Sequence, residues 1–195
     1  YQSQLDEHAN EYIHYAVDAS ERMQQVIKDL LEFSRVERQG RPFTATKMEA
    51  VLQMALANLQ TAIAESGAQI TFDPLPTVQA DAGQLTQVLQ NLLSNAIKYR
   101  SEQPPEIHIS AEKFEHGWQF AVRDNGIGID PQYFERVFLL FQRLHTRRKY
   151  PGTGIGLALC KKIIERHGGK MWIESGINQG ATFFFTLPER KNETR

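Results

Sequence analysis

"WQFAVRDNGIGID", residues 118–130, passes from a strand-like run into a turn that holds an acid, an amide and two glycines. The run predicts a strand over Trp118–Asp124. Asp124 then emerges at the strand end, and Gly126 and Gly128 let the backbone beyond it approach a flat ligand closely. A carboxylate in that place can accept a hydrogen bond from an exocyclic amine. Asp-Asn-Gly is good turn chemistry in any protein, and for this stretch alone an ordinary turn is the better reading.

Outward from it, strand-like runs fall near Ala68–Phe72, Glu106–Lys113, Lys170–Ser175 and Ala181–Leu187. "EHG" at 115–117 can turn the strands before and after it into a hairpin, and "GINQG" at 176–180 can do the same for the last pair. Helical periodicity covers Met48–Glu65, Ala82–Tyr99, Pro131–Phe138 and Gly156–His167. Directly joined strand pairs with helices before and between them predict an α+β fold, a two-layer α/β sandwich rather than an alternating parallel sheet. Ahead of all this, Leu5–Val36 reads as one long amphipathic helix with no hairpin partner beside it in the sequence, so its apolar stripe is expected to pack on something else. So abrupt a start reads as that of a fragment. "RQGRP", residues 38–42, breaks the helix and marks the expected domain boundary: residues 1–39, then 40–190, then a tail at 191–195.

With 22 basic and 23 acidic residues among 195, the net charge of -1 provides no global field to recruit nucleic acid or an anionic membrane. Any anion must be bound locally. No stretch approaches the ~20 apolar residues of a bilayer span. The single cysteine, Cys160, lies in an apolar helical run and reads as a buried structural thiol, in keeping with a soluble protein of a reducing cytoplasm.

Two further stretches carry chemistry. In "NLLSNAIKY", residues 91–99, Asn91, Asn95 and Lys98 recur at helical spacing and share one face. An amide oxygen is a neutral ligand for magnesium, which takes its other positions from waters and substrate phosphates, and Lys98 stands where a phosphate could be neutralised. A solvated polar stripe is an equal reading of this motif alone. "GTGIGLALCKKII", residues 152–164, leads a glycine turn into a helix, an arrangement that points free N–H groups at an anion. Its spacing matches neither the dinucleotide fingerprint nor the P-loop. Between them, Gln142–Thr153 combines Arg143, Arg147, Arg148 and Lys149 with few aliphatic residues, the composition of a segment that orders on a phosphate ligand.

The ordered set is more specific than its parts. An asparagine-bearing helix, a strand ending in D-x-G-x-G, the aromatic "FERVFLLFQRL", a G-x-G-x-G loop entering a helix and a late "GATFFFTLP" strand resemble the ATP-binding domain of sensor histidine kinases, in the superfamily shared with gyrase, Hsp90-type and MutL-type ATPases. The resemblance implies bound ATP and Mg2+, with Asn95 as magnesium ligand, Asn91 and Lys98 along the phosphates, and Tyr99 bordering the nucleotide. It makes Asp124 the adenine-reading carboxylate, with Gly126, Gly128 and Ile129 shaping the pocket and Thr182 beside adenine. Gly154, Gly156 and Leu157 approach the phosphates, and Phe138, Phe141 and Arg143 form an aromatic box from which Arg143 reaches toward phosphate.

In the gyrase-like relatives a glutamate one turn before the metal asparagine activates water, but here that position is Asn91, and an amide cannot take the proton. The expected activity is therefore transfer to a histidine, with relay to a response-regulator aspartate. A non-catalytic nucleotide-binding or dimerisation module is the alternative, and a stand-alone ATPase is disfavoured. "MQQVIKDLLEFSRV" in the first helix resembles the second helix of the family's dimerisation and phosphotransfer hairpin, which implies a homodimer and an upstream sensor domain. No histidine here has the phosphoacceptor's surroundings, so that residue is expected outside this chain. His8 and His14 are expected to face solvent, and none of His108, His116, His145 and His167 has metal-ligand spacing with another. "YQSQLDE", "FQRLHTR" and "GTGIGLALCKKIIE" are most similar to kinase modules of cyanobacterial phytochrome-type photoreceptors.

Overall fold

A computed structural model of the protein describes residues 6–38, 41–144, 150 and 152–189. The run Arg147–Lys149, His145, the helix break at Gly40 and the tail 191–195 lie outside the described residues.

The chain opens with α1 (Glu7–Arg38), then β1 (Thr44–Lys47), α2 (Met48–Asn58), α3 (Gln60–Ser66), β2 (Gln69–Phe72), β3 (Thr77–Ala80) and α4 (Ala82–Lys98). The hairpin of β4 (Glu106–Phe114) and β5 (Gly117–Asp124) follows, then α5 (Gly156–Arg166) and the hairpin of β6 (Met171–Ser175) and β7 (Ala181–Pro188). Five strands form one mixed sheet in the order β2-β4-β5-β7-β6, in which only β2 and β4 run parallel. Both expected hairpins are present. One face alternates into the core through Phe120, Val122, Phe183 and Phe185, and the apolar sides of α2, α4 and α5 cover it. Phe120 and Phe185, both fully buried, stack with ring centroids 4.9 Å apart.

Two expectations need correction, and one element was not foreseen. The helix expected over Met48–Glu65 breaks at Leu59 into α2 and α3, where Asn58 turns its amide to Gln90 (3.0 Å). Pro131–Phe138 is not one helix but two 3₁₀ turns, Pro131–Tyr133 and Arg136–Phe138, the first capped by Asp130 with a proline at its start. The two-stranded ribbon of β1 and β3 was not expected; with Thr46 the one buried residue of β1, the strand carries no apolar alternation to announce it.

α4 begins where its sequence allows. Asp81 caps it, its Oδ1 accepting the N–H groups of Gly83 and Gln84, while its Oδ2 accepts from the Arg41 N–H and stands 3.7 Å from the Arg166 guanidinium. His167 is buried beneath this cap. Its Nε2 accepts the Asp81 N–H, and its Nδ1 lies 2.8 Å from the Ile163 carbonyl, a pairing that assigns the proton to Nδ1.

α1 joins the rest through its C-terminal half. Val36 is buried, Phe33 packs against the core beneath the Lys162 ammonium, and Gln84 and Gln87 donate to the Val36 carbonyl and the Glu32 carboxylate. Tyr12, Ile13, Val17, Met23, Ile27 and Leu31 stay exposed, so the described residues leave the apolar stripe uncovered. No helix among the described residues is long and apolar enough to cross a membrane.

Candidate functional site

β5 delivers Asp124 to the end of the sheet, where the backbone fixes it. Oδ1 accepts two N–H groups, from Gly126 at 2.8 Å and from Ala181 on β7 at 3.1 Å. Among the described residues Oδ2 has no hydrogen-bond donor, and the carboxylate lines a cavity of about 90 Å³. Burial pushes its pKa up and the two N–H groups hold it down. The result is a carboxylate with one oxygen saturated and the other presented to a mostly apolar hollow.

The glycines around it are there because nothing larger fits. A Cβ on Gly126 would stand 2.6 Å from the Tyr99 carbonyl oxygen and 2.9 Å from Asp124 Oδ1, and Gly128, at φ +70°, would drive one into the Gly176 carbonyl. This turn is stitched to the β6–β7 loop: Gly180 N–H donates to Gly126 O, Asn178 N–H to Ile127 O, and Ile129 N–H to Ser175 Oγ, which itself donates to Gly180 O. Asn125 faces elsewhere, accepting from Glu106 N–H and donating to Pro104 O. The amide of the opening motif is thus structural.

A second cavity, of about 310 Å³, adjoins the first and shares Asn95, Tyr99, Val137, Gln142, Arg143 and Leu157 with it. Its own wall includes Asn91 and Lys98 from α4 and Gly154 and Gly156 from the glycine loop. Asn91 Nδ2 reaches the Gly156 carbonyl at 3.5 Å, tying the polar face of α4 to the start of α5. The Lys98 ammonium lies 4.2 Å from the centre of the Tyr99 ring, and Tyr99 in turn packs on Tyr150. Burial, with the Arg143 charge adding to it, lowers the Lys98 pKa to about 8. Burial also raises that of Tyr99, against the pull of Arg143. Arg143 donates to the Tyr150 carbonyl at 2.6 Å, and the Phe141 N–H to that of Gly154, so the aromatic segment is anchored to the glycine loop. One half of the site is apolar with a carboxylate; the other is polar and cationic. A ligand with a flat amine-bearing ring and an anionic tail matches both.

A family model for histidine kinase-, DNA gyrase B- and HSP90-like ATPases matches residues 80–191. The chain belongs to this family. Cyanobacterial phytochrome A of Nostoc sp. is 56% identical over 198 residues, covering 98% of this chain and 26% of that protein. The chain thus spans about a quarter of the length of the curated relatives it matches. Among solved structures, full-length ShkA in complex with AMPPNP is similar with a TM-score of 0.73 and 26% identity, over 95% of this chain and 40% of that one. Histidine kinase ThkA in complex with the response regulator TrrA is similar with a TM-score of 0.71 and 26% identity, over 100% and 55%.

In this histidine kinase-type ATPase domain Asn95, Tyr99, Asp124, Gly128, Ile129, Arg143 and Leu157 line the first cavity, and Asn91, Lys98, Gly154 and Gly156 extend the wall into the second. Gly126 acts from behind, through Asp124. Thr182 departs from its expected place: it pairs with Arg123 and Glu174 on the sheet face away from the helices, while Ala181 and Phe183 on either side of it line the cavity. Strand parity decides this, because adjacent residues point to opposite faces. Phe138 packs edge-on against Phe183 within the core, whereas Phe141 is exposed at a positive φ of 63°. Cys160 is buried, and burial pushes its thiol up to about 12, the state of an inert core residue.

The sequence reading passed over several residues. Ala181 supplies an N–H to Asp124, Ser175 locks the turn, and Gln25 and Asp29 of α1 stand in the wall of the second cavity. The parity of β7, anchored on its phenylalanines, could have found Ala181; no local signal marks the other three. Among the described residues no group of three or more His, Cys, Asp or Glu could hold a metal ion. Magnesium carried on a nucleotide needs only one or two protein oxygens beside phosphates and waters, and the amide of Asn95 in the cavity wall is a group that could supply one.

Proposed function

We propose that this chain is the catalytic module of a two-component sensor: it binds ATP with Mg2+ across the two joined cavities and passes the γ-phosphoryl group to a histidine on a partner hairpin helix. From there the group is relayed to a response-regulator aspartate. The observation that carries this reading is Asp124, whose open Oδ2 suits an exocyclic amine such as that of adenine, at one end of a site whose other end holds Lys98, Arg143 and the glycine loop. The chain's own contribution is positioning. Asp124 and the Gly126–Ile129 turn fix the base, Lys98 and Arg143 take up phosphate charge, and Asn95 would hold the metal, which when bound neutralises the phosphate oxygens. Asn91 holds the Gly156 carbonyl and, as an amide, takes no proton from water. That favours a protein acceptor over hydrolysis.

Residues 1–39 read as the second helix of the dimerisation hairpin, and the exposed stripe of α1 supports a homodimer formed there. An upstream sensor domain and a cytoplasmic setting complete the proposal. Competition between ATP and GTP tests the base contact: the chain should prefer ATP, and Asp124→Asn should abolish the preference. Labelled Mg-ATP with a separately supplied first hairpin helix tests the transfer. Acid-labile phosphate on that helix is the expected result. Phosphate release without an acceptor would mark a stand-alone ATPase, and binding without any transfer a non-catalytic module.

A further inference from the structure

α1 stands outside the two layers of the domain, yet it reaches the phosphate side of the site. Gln25 and Asp29, one turn apart, share the wall of the second cavity with Asn91, Asn95 and Lys98. Asp29 is held at both oxygens: Gln25 Nε2 donates to Oδ1 at 2.6 Å, and Thr153 Oγ1, from the glycine loop, donates to Oδ2. Both donors are neutral. Among the described residues no cation lies within ion-pair distance of this carboxylate, although the other half of the wall carries Lys98 and Arg143.

A carboxylate pinned in orientation and lacking a cationic partner among the described residues acts on a polyphosphate in a way that depends on what the polyphosphate brings. Bare phosphates entering the cavity are repelled by the half-buried carboxylate at its wall. A divalent cation on the same phosphates reverses the sign of the local charge facing Asp29. We infer that Asp29 makes this compartment discriminate between magnesium-loaded and metal-free nucleotide. α1 thereby sets a specificity of a site built otherwise by the ATPase domain. This rests on the nucleotide reading above. The Thr153 bond sets where the charge sits, and the charge makes the discrimination.

The experiment is calorimetric titration of the whole chain with AMPPNP, once with saturating magnesium and once in EDTA, and the quantity read is the ratio of the two affinities. Asp29→Asn preserves size and removes the charge; its amide keeps one acceptor oxygen, and its NH2 group can donate to the Thr153 hydroxyl in place of accepting from it. It should raise the metal-free affinity and cut the ratio by about tenfold, equivalent to about 1.4 kcal/mol. Thr153→Val removes the hydrogen bond and leaves the charge, and should keep most of the ratio. An unchanged ratio in Asp29→Asn overturns the inference while leaving the nucleotide site intact. An equal collapse in Thr153→Val also overturns it, because loop anchoring and not charge would then be responsible. No binding of AMPPNP by the unmodified chain in either condition would overturn the nucleotide reading and this inference together.

Discussion

Lys98 offers a test of the phosphate side of the site that needs only a change of pH. Its pKa is lowered to about 8, chiefly by burial and further by Arg143. A nucleotide phosphate placed against the ammonium restores the charged form, so binding should take up a proton wherever free Lys98 is neutral. At pH 7 the free protein is already almost fully protonated there and the coupling is small. At pH 9 only about one molecule in ten keeps the proton, so affinity should fall about tenfold from pH 7 to pH 9, about 1.4 kcal/mol, if the bound state returns to the usual lysine value. The sign follows from the direction of the shift: a base depressed in the free site loses anion affinity as pH rises through its own pKa. Titration with AMPPNP and magnesium across this range gives the affinity, and repeating it at pH 9 in buffers of different ionisation enthalpy should count about 0.9 protons taken up. Lys98→Gln subtracts any titration of the nucleotide itself; it should bind more weakly at pH 7 and lose the slope. A flat profile in the unmodified chain, or the same slope in Lys98→Gln, would refute the reasoning and remove Lys98 from the phosphates.

Three other substitutions separate the site from the fold. Gly126→Ala would set a methyl group 2.6 Å from the Tyr99 carbonyl oxygen and against the Asp124 carboxylate; nucleotide affinity should drop at least about tenfold, for a stability loss of about 1–3 kcal/mol by thermal melting. Phe120→Ala empties the centre of the sheet–helix interface, where Phe120 stacks on Phe185, and should cost about 3–5 kcal/mol in urea unfolding, whereas Leu139→Ala at an exposed position should stay within about 0.5 kcal/mol.

Most of the architecture was legible because it follows from local physics. Period-2 runs bounded by glycine turns predicted β4, β5, β6 and β7 and both hairpins, and the apolar periodicity of α4 predicted that helix nearly to the residue. The signal failed where elements are short or their burial is slight. β1 and β3 have four residues each, and the aromatic segment folds as 3₁₀ turns that no 3.6-residue period describes.

The sequence by itself determined the chemistry: an acid at a strand end, two amides and a lysine on one helix face, and glycines where backbone must pass close to backbone. These are properties of residue type and short spacing, which survive without knowledge of distant partners. Tertiary structure alone decided which groups are available. It saturates one oxygen of Asp124 with the N–H of Ala181, fifty-seven positions away, and so presents the other to the cavity. It turns Thr182 to the opposite face of the sheet, lowers Lys98 by burying it, and brings Asp29 of α1 onto Thr153 across 124 positions. Hydrogen-bond partners, burial and the field at a charged group all depend on contacts between distant segments, and those contacts exist only once the layers have packed.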